Sequence, residues 1–147
     1  MMHAIAEAQS AVAQMLTREI PQGFDAIVVN VNELAPVQYQ TAAAVDSAGE
    51  SESIPLSWDV DPDVFSRLRE VMYRPGSGTW FSAEFRVDRS GRMDSDYVYD
   101  LEPDWTTPVD SIAYVTDFEK FPRDLEHQPQ WLRDRLSEGY ERRAARS

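Results

Sequence analysis

The sequence predicts an α+β domain, an antiparallel sheet with a central hairpin packed against N-terminal, middle and C-terminal helices. Three observations carry this. Two alternating segments, Thr79 to Val87 and Arg92 to Tyr99, flank Asp88-Arg89-Ser90-Gly91, which has the chemistry of a type I turn followed by a left-handed glycine. Before them stand further segments rich in β-branched or alternating residues. Stripes of helical period lie near both ends of the chain and in its middle.

Taken in order, residues 3–19 place Ile5, Ala8, Val12, Met15 and Leu16, with Ile20 just after them, among strong helix formers, and Pro21-Gln22-Gly23 ends that helix. Phe24 to Asn32, with Ile27, Val28, Val29 and Val31, is a strand; Glu33 to Pro36 is a turn; Val37 to Val45 alternates and is a second strand. Asp46 to Ser53 is a polar loop, and Ile54, Leu56 and Trp58 alternate as a short third strand that Pro55 confines to an edge. Asp61-Pro62 is a helix start, an N-cap followed by proline at the first helical position, and Val64, Phe65, Leu68, Val71 and Met72 form one stripe ending near Tyr73.

The hairpin register follows from its loop. With Asp88 opposite Arg92, Val87 pairs with Met93, Phe85 with Ser95, Ala83 with Tyr97 and Phe81 with Tyr99, so the apolar halves of both strands share one face. The other face then sets Arg86 opposite Asp94, Glu84 opposite Asp96 and Trp80 opposite Asp100. Leu101 to Pro108 follows as an acidic, proline-flanked loop carrying Trp105. Residues 109–121 fit either a short strand (Ile112, Tyr114, Thr116) or a helix. Trp131, Leu132, Arg135, Leu136 and Tyr140 mark a closing helix, and residues 141–147 read as a frayed, Arg-rich tail. At 147 residues, without internal repeats, residues 1–147 form a single domain.

Composition narrows the function. There is no cysteine, which excludes disulfides, thiol catalysis and cysteine-type zinc sites. No run approaches the ~20 apolar residues of a membrane span, and no basic region followed by an apolar block opens the chain, so a cytoplasmic location is expected. The net charge is −12 and unevenly placed: nine acids and no Lys or Arg lie between Arg18 and Arg67, and eight acids and no Lys or Arg lie from Met93 through Glu119. Such a field repels nucleic acid and anionic membranes and steers basic proteins in.

Catalytic constellations are thin. His3 and His127 are the only histidines, there is no Walker A or GxGxxG sequence, and PGSG at 75–78 is a helix-to-strand turn without a lysine for a phosphate. The acidic run of Asp94, Asp96, Asp100, Glu102 and Asp104 is the one metal candidate, but same-face strand positions stand ~7 Å apart, too far for one ion. No catalytic residue, metal or cofactor is therefore expected, and the chain reads as a non-enzyme.

Leu68-Arg69 with Met72-Tyr73, Gly78-Thr79-Trp80, the Asp-x-x-Gly turn, Tyr97-Val98-Tyr99-Asp100, and Phe121-Pro122-Arg123 before Gln130-Trp131-Leu132 together resemble the YezG-like immunity proteins. The resemblance spans roughly residues 64 to 136. It implies a small α+β cytoplasmic antitoxin that binds and silences the C-terminal toxin domain of a secreted polymorphic toxin, commonly a nuclease. With the charge distribution, it points to Trp80, Glu84, Asp96, Asp100, Glu102, Asp104 and Trp105 as the surface for a basic toxin domain. Trp80 has a second possible place, in the core beneath a helix. The competing classes are an acidic interaction module for another basic protein and a metal-dependent hydrolase using the acidic run.

Overall fold

In the computed structural model, which describes residues 2–146, four helices flank a five-stranded antiparallel sheet. The order along the chain is α1 (Met2–Thr17), β1 (Ala26–Leu34), β2 (Val37–Val45), β3 (Ser51–Ile54), α2 (Pro62–Val71), β4 (Ser82–Asp88), β5 (Met93–Val98), α3 (Ser111–Lys120), a 3-10 turn (Leu125–His127) and α4 (Gln130–Ala145). In the sheet the order is β3-β2-β1-β4-β5, so the most apolar strand, β1, lies at the centre. The expected α+β class and its helices on the sheet are what the fold shows.

Two apolar clusters hold it together. Ala8, Val12, Met15 and Leu16 of α1 and Phe65 and Leu68 of α2 cover Ile27, Val29 and Val31 of β1 and Ala83, Phe85 and Val87 of β4. Asp61 caps α2 as its sequence predicts, its carboxylate accepting from the Asp63 N–H at 2.9 Å. A second cluster joins Ala113, Tyr114 and Val115 of α3 to Leu132 and Leu136 of α4, with Leu34 and Phe81 at the end of the sheet. The two helices touch closely at Gly139, where a β-carbon would collide with the Ser111 carbonyl and come within 2.5 Å of Val115 Cγ2.

The hairpin has the expected register from Val87 with Met93 to Ala83 with Tyr97. Asp88 builds its loop, its Oδ1 accepting from the N–H groups of Ser90 (2.9 Å) and Arg92 (3.2 Å), while Gly91 takes φ 87°. The Phe81 with Tyr99 pair does not form. Phe81 donates its N–H to the Val98 carbonyl at 2.9 Å although Ser82 already pairs with Val98, so two residues face one, as in a β-bulge. The bulge turns the chain: Phe81 enters the second cluster and Trp80 the first, both buried. Alternation therefore stops at Ser82.

Other boundaries differ for local reasons. Residues 46–50 form a tight turn, closed by Asp46 Oδ1 accepting from Ala48 N (2.9 Å) and Glu50 N (3.0 Å), so part of the expected polar loop, Ser51 onward, is edge strand β3. Trp58 is not in a strand; it projects fully exposed from a turn that Glu19 holds through the Ser57 N–H at 2.7 Å. Residues 111–120 are helical, with Asp110 as N-cap. The expected frayed tail is helical to Ala145 instead, tied back by Arg142 and Arg146 to Asp110 and by Arg143 to Glu119. Ser147, the last residue of that tail, and Met1 lie outside the described residues.

Candidate protein-binding surface

The sheet face opposite α1 and α2 is the surface the fold leaves open. Asn30, Thr41, Glu84, Arg86, Asp94 and Asp96 are exposed along its middle, whereas α3, α4 and residues 99–110 close only one end. Glu84 stands directly opposite Asp96, and among the described residues neither carboxylate has an ion-pair partner. Directly opposed like charges on a sheet cost a few tenths of a kcal/mol. Arg86 faces Asp94 across the hairpin without closing an ion pair between them.

Residues 99–110 form a rim that is fastened at almost every step. Trp131 Nε1 donates to the Asp100 carbonyl at 2.8 Å, and the Asp100 carboxylate lies 3.2 Å from Arg123. Glu102 receives Arg135 Nε at 2.7 Å and the Tyr114 hydroxyl at 3.1 Å, and that hydroxyl in turn accepts from Trp105 Nε1 at 2.9 Å. Burial, reinforced by the Glu102 charge, pushes the Tyr114 phenol well above the usual tyrosine range, so it stays a donor. Glu102 bonding holds the Arg135 guanidinium above its ordinary value. Further along, Asn32 Nδ2 donates to the Asp104 carbonyl at 3.1 Å and the Tyr39 ring meets Trp105 edge-on, centroids 5.3 Å apart.

Of the seven residues expected on the binding surface, the structure brings Glu84, Asp96 and Asp104 to solvent with carboxylates that have no partner among the described residues. Asp100 is exposed but bridged to Arg123; Glu102 and Trp105 are half-buried and spent on fastening the rim. Trp80 is a correction: at 0% exposure it is core, against Tyr97 at 6.0 Å between centroids, and it cannot touch a partner. The reason is the bulge, which a strictly alternating strand pattern does not reveal.

Beneath the rim lies a buried charge network that residue patterns did not single out. Arg69, 1% exposed, donates Nε to the Trp80 carbonyl at 2.6 Å and grips Asp117 with both terminal nitrogens, Nη2 at 2.9 Å. Asp117 also receives the Ala35 N–H at 2.7 Å, joining the β1–β2 turn to α3. Arg123 donates to the carbonyls of Thr79 (2.9 Å), Tyr99 (2.7 Å) and His127 (3.0 Å). The bulge ends the ladder at Ser82 and leaves the Thr79, Trp80 and Tyr99 carbonyls without strand partners. Two buried guanidiniums supply the missing donors.

Chemically, this arrangement presents charge and shape. Among the described residues no three His, Cys, Asp or Glu side chains converge as a metal site would require, and no helix is long and apolar enough to cross a membrane. His3 faces Glu7 on an exposed helix turn and His127 faces Glu126. No family model matches the chain, nor does any curated protein.

Proposed function

We propose that the protein is an immunity protein that neutralises a basic toxin domain, a nuclease being the class best suited, by direct binding in the cytoplasm and without catalysis. The observation that carries this reading is the open sheet face with Glu84 and Asp96 unpaired and opposed. Stability alone disfavours such a pair, whereas a partner bringing Lys or Arg onto that face relieves the repulsion and is steered there by the net charge of −12. A pinned rim supports the same reading, because a surface ordered before encounter loses less conformational entropy on binding. The resemblance of residues 64–136 to YezG-like immunity proteins adds the class of partner. Occupying a cationic substrate site with carboxylates would keep a nucleic-acid backbone out.

The test is the double variant Glu84→Lys with Asp96→Lys. It exchanges one like-charged cross-strand pair for another, so the melting temperature should hold while the face changes sign. The probe is the C-terminal domain of a secreted protein encoded next to this gene, measured by association rate and by survival of cells expressing it. Association slowed by at least about tenfold at low salt, with lost protection, is expected. Full protection by the folded double variant would refute the reading.

A further inference from the structure

The open face ends at a strand edge. β5 pairs only with β4, because it is last in the sheet order. The hydrogen-bonded pairs are fixed by Asp88 N to the Arg92 carbonyl at 3.1 Å and continue with that parity to Ser82 with Val98. Asp94, Asp96 and Val98 therefore point their backbone groups at β4. Met93, Ser95 and Tyr97 point theirs outward, and none of these N–H or C=O groups has a partner among the described residues. The opposite edge offers less, since β3 has four residues and Pro55 follows it directly.

Resting on the function proposed above, we infer that the toxin domain docks by adding a strand to β5, with Lys or Arg at alternate positions of that strand. An added strand in register puts every second side chain on the open face, beside Asp94 and Asp96, and the intervening ones beside Met93 and Tyr97 on the helix side. Salt-bridging residues and apolar residues must therefore alternate in the partner. The same acids disfavour a second copy of this chain: antiparallel β5 with β5 about Ser95 sets Asp94 against Asp96 twice over. Charge on this edge thus weighs against self-pairing and favours a basic strand.

Ser95→Pro tests it. Proline removes only the outward N–H, so the ladder to β4 survives and edge strands tolerate the residue. Binding of the toxin domain should weaken by about tenfold or more, whereas Ser53→Pro on the opposite edge should leave it unchanged. Amide exchange in the wild-type complex reads the same contact without a substitution: Met93, Ser95 and Tyr97 should pass from fast to protected, while Asp94 and Asp96 are slow in both states. If Glu84→Lys with Asp96→Lys abolishes binding but Met93, Ser95 and Tyr97 stay unprotected and Ser95→Pro binds normally, the face stands and strand addition is refuted. If no complex forms at all, the functional reading and this inference fall together.

Discussion

Replacing Asp117 by Ala should be among the most damaging single changes available in this protein. Asp117 is 4% exposed and Arg69 1%, and the substitution leaves the guanidinium holding only the Trp80 carbonyl. Removing one member of a buried, hydrogen-bonded ion pair costs about 3–5 kcal/mol, since the remaining charge stays desolvated. Stranding the Ala35 N–H adds roughly 1 kcal/mol. For a chain of this size each kcal/mol lowers the melting temperature by about 2–4 °C, so a fall of roughly 8–24 °C is expected. Urea denaturation of Asp117→Ala, Arg69→Met and their combination gives the coupling directly. The double variant should cost less than the two singles summed, by about 2 kcal/mol, because it removes the unpaired charge. A loss below about 1 kcal/mol for Asp117→Ala, or simple additivity, would show that the pair does not fasten α2, α3 and the β1–β2 turn.

Two further outcomes follow from the same interior. Glu33 is buried, and desolvation raises its carboxyl above the ordinary 4.5 despite the nearby Arg69 charge and the Gln38 amide at 2.6 Å. A raised folded value means that the folded state holds the proton longer, so stability falls as pH rises from 4.5 through that value; Glu33→Gln should be more stable than the parent at pH 7, with the gain vanishing below pH 4.5, and a loss at pH 7 in thermal melts would contradict this. Gly139→Ala should destabilise by about 1–3 kcal/mol although alanine is the better helix former by roughly 1 kcal/mol, since its methyl would meet the Ser111 carbonyl across the helix pair; a raised melting temperature would mean that α3 and α4 separate freely.

What the sequence made legible was governed by local chemistry. Asp61-Pro62 starts α2 and Asp88 with Gly91 closes the hairpin, because a cap and a turn are each built from residues adjacent in the chain. The register from Val87 to Ala83 follows from that turn and from one buried face. The errors lie where a distant element overrides local pattern. Trp80 alternates as an outward residue, but the bulge that turns it inward is stabilised by Arg69 from α2 and by Arg123, which no neighbour in sequence announces. Glu102 and Trp105 read as free surface because their partners, Arg135 and Tyr114, lie on helices whose placement the pattern left open. The Arg-rich tail suggested fraying for the same reason: its anchor, Asp110, is far away in sequence.

Those overrides share a consequence for recognition. Arg123 touches Thr79 and Tyr99 at the two sides of the bulge and also Asp100, the first acid of the rim, so one buried residue sets where the sheet stops and where the rim begins. Arg69 and Asp117 fix the same point against α2, α3 and the β1–β2 turn. The rim itself is then closed by Glu102 and Tyr114 on one side and Asn32 on the other. Two anchors of the rim, Tyr114 and Arg123, are thus buried in the core, and the acids left over, Glu84, Asp94, Asp96 and Asp104, are those whose carboxylates have no hydrogen-bond or ion-pair partner among the described residues. A basic partner meeting this surface would find its carboxylates free while the frame around them is rigid, the condition under which charge complementarity is converted most fully into association rate and selectivity.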